Sequence, residues 1–203
     1  MFYRLVIFVT YIFVRIAFKM RYEGLENIPE GGGYILCSNH RSNFDPVFLV
    51  HKIPTNVCFM AKEELFKNKL LGGLISSLGA FPVARGKGDT TAIDTATEIL
   101  QGSGVLMVFP EGTRSKTGHL QRGRSGASVL AARTNANILC CSIDFKPGEK
   151  LHFRSLVTLR FHPMISNEAL GVDPAAPSTI RVGTKLIMDT IAGGISYIGQ
   201  ELL

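Results

Sequence analysis

Short apolar runs recur along the chain, each closed off by glycine, proline or asparagine: "YILC" (34–37), "VCFM" (57–60), "AFPV" (80–83), "VLMVF" (105–109) and "ILCCSI" (138–143). Their length and their content of β-branched and aromatic residues predict buried strands. "VTLRFHP" (157–163) predicts a further one. Between these runs, residues 46–51, 63–78, 90–100 and 125–133 carry helical patterns. "DPAAPS" is a loop, with Ser178 or Thr179 placed to cap a last helix running to about Ile191. Strands alternating with helices imply a single α/β domain whose central, partly parallel sheet is flanked by helices. In such sheets chemistry gathers in loops at the carboxyl ends of strands. Three loops turn abruptly polar after an apolar run: residues 38–45, 85–89 and 110–124.

The first twenty residues follow a different pattern. Arg4 and Arg15 bracket ten uncharged residues, 5–14, which is short of the roughly 20 needed to span a bilayer. A signal peptide would want a small-residue cleavage site after this run, and "RIAFKMRYEG" offers a poor one. The reading adopted is a helix lying in the membrane interface, with Arg4, Arg15, Lys19 and Arg21 reaching for headgroups. A tilted span with snorkelling arginines, a buried core helix and a signal peptide are the competing readings. The expected organisation is therefore a membrane-associating helix over residues 1–20 and an α/β domain over 21–203.

Composition narrows the partners. Apolar residues make up 46% of the 203-residue chain and charged ones 19%, and mean hydropathy is +0.20, which excludes a disordered chain. A net charge of +6 in so apolar a chain suggests an anionic partner: a lipid surface, a phosphorylated small molecule or nucleic acid. Nucleic acid is the weakest of these, since there is no Trp, no zinc-finger spacing and no basic–aromatic interleaving. Cys37, Cys58, Cys140 and Cys141 sit in apolar runs without metal-ligand spacing, as small buried hydrophobes of a reducing compartment. No metal site is expected.

The polar loops carry the candidate chemistry. In "SNHRSNFDP" (38–46), His40 and Asp45 would lie about 140° apart on a continuous helix, so they can meet only if the chain turns. The turn-rich "HRSNFDP" permits that. Asp45 before Pro46 also looks like a helix N-cap, and a carboxylate can accept from a backbone N–H and from a histidine together. An imidazole, with an ordinary pKa of about 6.5, suits a base at neutral pH, and an aspartate on its other nitrogen would fix its tautomer. The plainer reading, a capping aspartate beside a loop histidine, stays open on spacing alone. In "FPEGTRS" (109–115), Gly112 permits a close backbone approach, while Thr113 and Arg114 offer a hydroxyl and a rigid fork suited to phosphate. Glu111 and Arg114 could equally be a solvated pair. Lys116, His119, Arg122 and Arg124 leave this loop basic. Arg85 in "FPVARG" is a further phosphate candidate. "GRSGA" (123–127) approaches a nucleophile elbow but follows no strand, and is taken as the start of a helix.

Together and in this order, "NHRSNFDP", "GAFPVARG" and "FPEGTRS" resemble the blocks of the glycerophospholipid acyltransferases, in particular bacterial-type lysophosphatidate acyltransferases. The resemblance covers roughly residues 20–145 and includes "AKEELFKNKLLG" upstream of the second block. It implies transfer of an acyl group from a coenzyme A or acyl-carrier-protein thioester to the free hydroxyl of lysophosphatidate, with no cofactor. It further implies His40 as general base, Asp45 as its orienting partner, and Arg85, Glu111, Gly112, Thr113 and Arg114 around the acceptor's glycerol phosphate. Backbone N–H groups near Gly112 are the candidate oxyanion donors. The expected location is the cytoplasmic face of the cell membrane, among membrane lipids. Another lyso-lipid or glycerol phosphate as acceptor is the alternative, as are a non-catalytic lipid-binding module and a metal-dependent hydrolase built on His40 and Asp45. One departure stands out: the family's fourth block carries a proline in the following strand, where "NILCCSID" has Cys140 and Cys141.

Overall fold

Residues 34–37 are apolar without alternation because both of their faces are covered. Tyr34 and Leu36 enter one core, Ile35 and Cys37 the other, and all four are buried. A strand enclosed on both sides reads as a continuous hydrophobic run, the mark of a parallel sheet between two helical layers. The computed structural model describes residues 2–83, 90–146 and 151–196. Among them, seven strands form one sheet: β1 (Lys19–Glu23), β2 (Tyr34–Ser38), β3 (Val57–Lys62), β4 (Ala80–Val83), β5 (Val105–Val108), β6 (Asn137–Asp144) and β7 (Leu156–Phe161), in the order β1-β7-β6-β2-β5-β3-β4. Every pairing is parallel except β6 with β7. The sheet is thus mostly parallel.

Helices α1 (Phe2–Ala17), α2 (Asp45–Val50) and α3 (Lys69–Ser77) lie toward the face holding Leu36, Phe48, Val57, Met107 and Ile143. Helices α4 (Thr90–Gln101), α5 (Gly126–Thr134) and α7 (Pro177–Gly193) cover the other, with Ala96, Leu130 and Ile187 at its centre; the four-residue α6 (Asn167–Leu170) lies between β7 and α7. The six apolar runs all form strands. The seventh strand, β1, falls in the charged stretch "KMRYE" after the N-terminal helix. It pairs with β7 alone, so an edge position tolerates its charges. Pro82 sits in β4, the opposite edge, where a missing N–H leaves no ladder bond unmade.

Two helix expectations are corrected. The pattern at 63–78 breaks into a short 3-10 turn, Glu63–Phe66, and α3, because the Asn68 side chain caps α3 by accepting from the amides of Leu70 and Leu71 (both 3.1 Å). The last helix starts at Pro177 without a side-chain cap. Thr179 instead donates its hydroxyl back to the Ala176 carbonyl at 2.7 Å. No helix among the described residues is long and apolar enough to cross a membrane. On α1, Leu5, Phe8, Val9, Ile12, Phe13 and Ile16 form an outward stripe in which each residue is at least 44% exposed, while Val14 is fully buried against the sheet domain.

Candidate active site

The loops that follow β2 and β5 meet at the carboxyl edge of the sheet, because those strands are neighbours running the same way. The loop after β2 carries His40. Its Nδ1 lies 2.8 Å from Oδ2 of Asp45, and the Asp45 carboxyl is wholly buried. An ionised carboxylate can only accept, so Nδ1 carries a proton, and in the neutral ring the lone pair then falls on Nε2. The same oxygen also accepts from the backbone N–H groups of Arg41 (2.6 Å) and Ser42 (2.7 Å). Asp45 was expected to cap the following helix. It is instead the first residue of α2, with Phe44 in the cap position, and its side chain reaches backward to close the loop. Three donors on one oxygen tie the turn that brings His40 onto Asp45.

Three further contacts hold the imidazole and its peptide. The Phe109 ring stacks on the His40 ring with centroids 4.0 Å apart and planes 17° from parallel. Glu111 Oε1 accepts from the His40 amide at 2.7 Å, and the His40 carbonyl accepts from the Ser115 amide at 2.8 Å. Residues 111–115 are therefore fastened at both ends to one residue of the neighbouring loop. The other Glu111 oxygen accepts from the Gln121 backbone and side-chain nitrogens at 2.9 and 3.2 Å. Burial raises the Glu111 pKa, against which these donors pull it down.

Glu111 was expected beside the acceptor's phosphate. Its side chain is only 3% exposed and both oxygens hold internal donors, so its carboxylate is a latch between loops. Gly112 has φ +73°, and a Cβ there would stand 2.8 Å from Cδ of Arg124; the close approach it permits is to that side chain. Its amide, a candidate oxyanion donor, already donates to the Phe109 carbonyl at 2.9 Å. Thr113 and Arg114 remain exposed between the two tethers. Arg85, and the loop 85–89 with it, lies outside the described residues.

Two residues inside the first block staple it to β6. Asn39 is 1% exposed, and its amide both donates to the Ile143 carbonyl (2.9 Å) and accepts from the Ile143 N–H (2.7 Å), continuing the β2–β6 ladder with a side chain. Arg41 lays its guanidinium over the Phe145 ring at 3.6 Å and donates to the carbonyls of Phe145 and Lys146. Sequence reasoning singled out none of Asn39, Arg41, Phe109 and Gln121. The available signal was an asparagine one residue past a fully apolar run, where a buried polar group must find a partner. Cys140 and Cys141, in place of a strand proline, are fully buried within β6. Burial pushes the Cys140 thiol up to about 12 and that of Cys141 well above the ordinary range, so neither suits nucleophilic work. All four cysteines are free, and Cys58 alone is half-buried.

The arrangement can hold a neutral imidazole in one tautomer, with exposed hydroxyl and guanidinium groups on the adjoining loop. A family model described as acyltransferase matches residues 19–144. The chain is 34% identical over 121 residues to the 1-acyl-sn-glycerol-3-phosphate acyltransferase of Streptococcus pneumoniae, covering 58% of this chain and 44% of that protein. It is 35% identical over 100 residues to the enzyme of that name from Bacillus subtilis, covering 48% of this chain and 50% of that protein. A mouse relative, 1-acyl-sn-glycerol-3-phosphate acyltransferase alpha, aligns over 192 residues at 26% identity. The matched part thus spans about half the length of the two bacterial relatives. The crystal structure of the 1-acyl-sn-glycerophosphate acyltransferase PlsC from Thermotoga maritima superposes with a TM-score of 0.74 at 23% identity, over 96% of this chain and 79% of that one, and shares its fold.

Proposed function

The chain belongs to the acyltransferase family, and on that premise we propose that it moves a fatty acyl group from an acyl-CoA or acyl-carrier-protein thioester to the free hydroxyl of lysophosphatidate, giving phosphatidate. The observation that carries this reading is the 2.8 Å contact between His40 Nδ1 and the buried Asp45 carboxylate at the carboxyl end of β2. Nε2 removes the hydroxyl proton as the oxygen attacks the thioester carbonyl. The C–O bond forms, the tetrahedral intermediate collapses, the C–S bond breaks, and the imidazolium returns its proton to the departing thiolate. Asp45 keeps the tautomer and favours the imidazolium. Thr113 and Arg114, with Arg85, hold the acceptor phosphate so that the hydroxyl faces His40. Such positioning can contribute more than the base itself. Glu111 and Gly112 act by shaping the loop that carries them.

The substrates live in a bilayer, and α1 suits one. Its apolar stripe lies in the interface of the membrane's cytoplasmic face, and Phe13 of that stripe stacks on Phe44 with centroids 6.1 Å apart. Phe44 directly precedes Asp45, so the membrane face and the site share a boundary.

The test uses the purified chain in detergent micelles with lysophosphatidate, other lyso-lipids and glycerol 3-phosphate, each with both donor types. Free thiol and product mass are read. Phosphatidate formed from lysophosphatidate ahead of the other acceptors is the expected result. Binding to liposomes with no thiol released from any donor would leave a membrane-surface binding module in its place.

A further inference from the structure

Arg4, Tyr11 and Arg15 stand at i, i+7 and i+11 of α1, one line along the helix. That line separates the exposed apolar stripe from the buried face that holds Val14. Opposite it, the turn ending α2 presents His51 and Lys52. Arg4, Tyr11, His51 and Lys52, together with Ile7 and Phe8, line a cleft of about 310 Å³.

The contacts within the cleft leave its charge unanswered. His51 Nε2 meets the Thr10 hydroxyl at 3.2 Å, Tyr11 stands edge-on to the His51 ring, and Lys52 Nζ sits 4.5 Å above the Tyr22 ring. His51 Nδ1 and the Tyr22 hydroxyl are buried without a hydrogen-bond partner. Among the described residues no carboxylate pairs with Arg4, Arg15 or Lys52; the acids that form ion pairs are Glu23, Asp45 and Asp189. Cations gathered without acids around an open cleft, beside buried polar atoms that lack partners, make a site for an anion.

We infer that this cleft binds the phosphate of an anionic membrane lipid that is not the substrate. The lipid source follows from the neighbouring stripe. An anion on the Arg4–Tyr11–Arg15 line would have its acyl chains on the side of Leu5, Phe8 and Ile12, at the depth where a helix lying in the interface places its cations. The site is separate from that of His40: the two lie at opposite ends of α2, whose six residues span about 9 Å. Occupancy would fix how α1 lies and, through Phe13 and Phe44, how the loop before α2 meets the bilayer. The inference rests on the interfacial reading of α1 given above.

The test is histidine NMR of the full chain titrated with dihexanoyl phosphatidylglycerol below its micelle-forming concentration. The His51 signals are assigned by their loss in His51→Gln. Saturable movement of the His51 signals is expected with this lipid and not with dihexanoyl phosphatidylcholine or glycerol 3-phosphate. The Arg4→Gln/Lys52→Gln variant should weaken binding roughly 25-fold, at about fivefold per cation. Arg4 is exposed, so Arg4→Gln alone serves if the double variant loses structure. An unmoved His51 signal, equal movement with glycerol 3-phosphate, or unchanged affinity in the variants overturns the inference. Wild-type turnover in uncharged micelles is read separately: its absence removes the acyltransfer reading and leaves this binding test standing.

Discussion

Two histidines flank α2, and their surroundings differ in every respect that matters for proton transfer. His40, ahead of the helix, has a buried carboxylate on one ring nitrogen, an aromatic ring against its face, and a side chain still 18% exposed. His51, just past the helix, has a threonine hydroxyl on one nitrogen, no partner on the other, and Lys52 beside it. Burial, and then that lysine, lower the His51 pKa to about 4. The same side chain thus meets a buried carboxylate on one side of this short helix and is held neutral on the other. The decisive difference is the carboxylate, which only one of the two loops can bring round.

The largest test of this contrast is the paired substitution. His40→Ala should lower thiol release from the acyl donor by about 10²–10⁴-fold, the usual worth of a general base, while His51→Gln should change it less than about threefold. Equal losses would break the comparison. Asp45→Asn comes next. It keeps the volume but removes the charge on which three donors converge, so turnover should fall by about 10²-fold or more. Urea unfolding of that variant should show a loss of about 2–4 kcal/mol. Glu111→Gln should cost about 1–3 kcal/mol in the same measurement, because one new N–H₂ must face an existing donor, the His40 or Gln121 amide. Its effect on turnover should follow the loosening of the 111–115 tether.

The smallest expected effect belongs to His51 and concerns pH. Its folded pKa lies below the ordinary 6.5, so the unfolded chain binds a proton that the folded chain refuses. The associated stability is present above about pH 6.5 and lost as pH falls toward 4. After allowance for solvent screening, roughly 1–2 kcal/mol should disappear across that window in wild type and not in His51→Gln. Parallel stability–pH curves for the two proteins would show that His51 is not the group responsible.

Much of the architecture could be read along the chain. Residues 34–37, 105–108 and 138–143 announce strands because each is enclosed on both sides, which leaves an unbroken apolar run. The strand at 19–23 escaped notice for the opposite reason: an edge strand with one partner has room for Lys19, Arg21 and Glu23. Around the site, spacing raised the meeting of His40 and Asp45 as a question and resemblance supplied an answer. Neither could say that the aspartate begins the helix and turns its carboxylate back.

Local pattern, then, sufficed for the alternation of strands and helices, for the polar loops after β2 and β5, and for an N-terminal helix, since each depends on residues a few positions apart. The inward turn of Glu111 depends on an amide 71 residues away, and the Asn39 staple on a strand 104 residues away. A buried polar side chain must bond to whatever donor or acceptor the folded sheet brings beside it. Only the packing of β2 between β5 and β6 creates those neighbours, and no periodicity in the chain encodes which ones they will be.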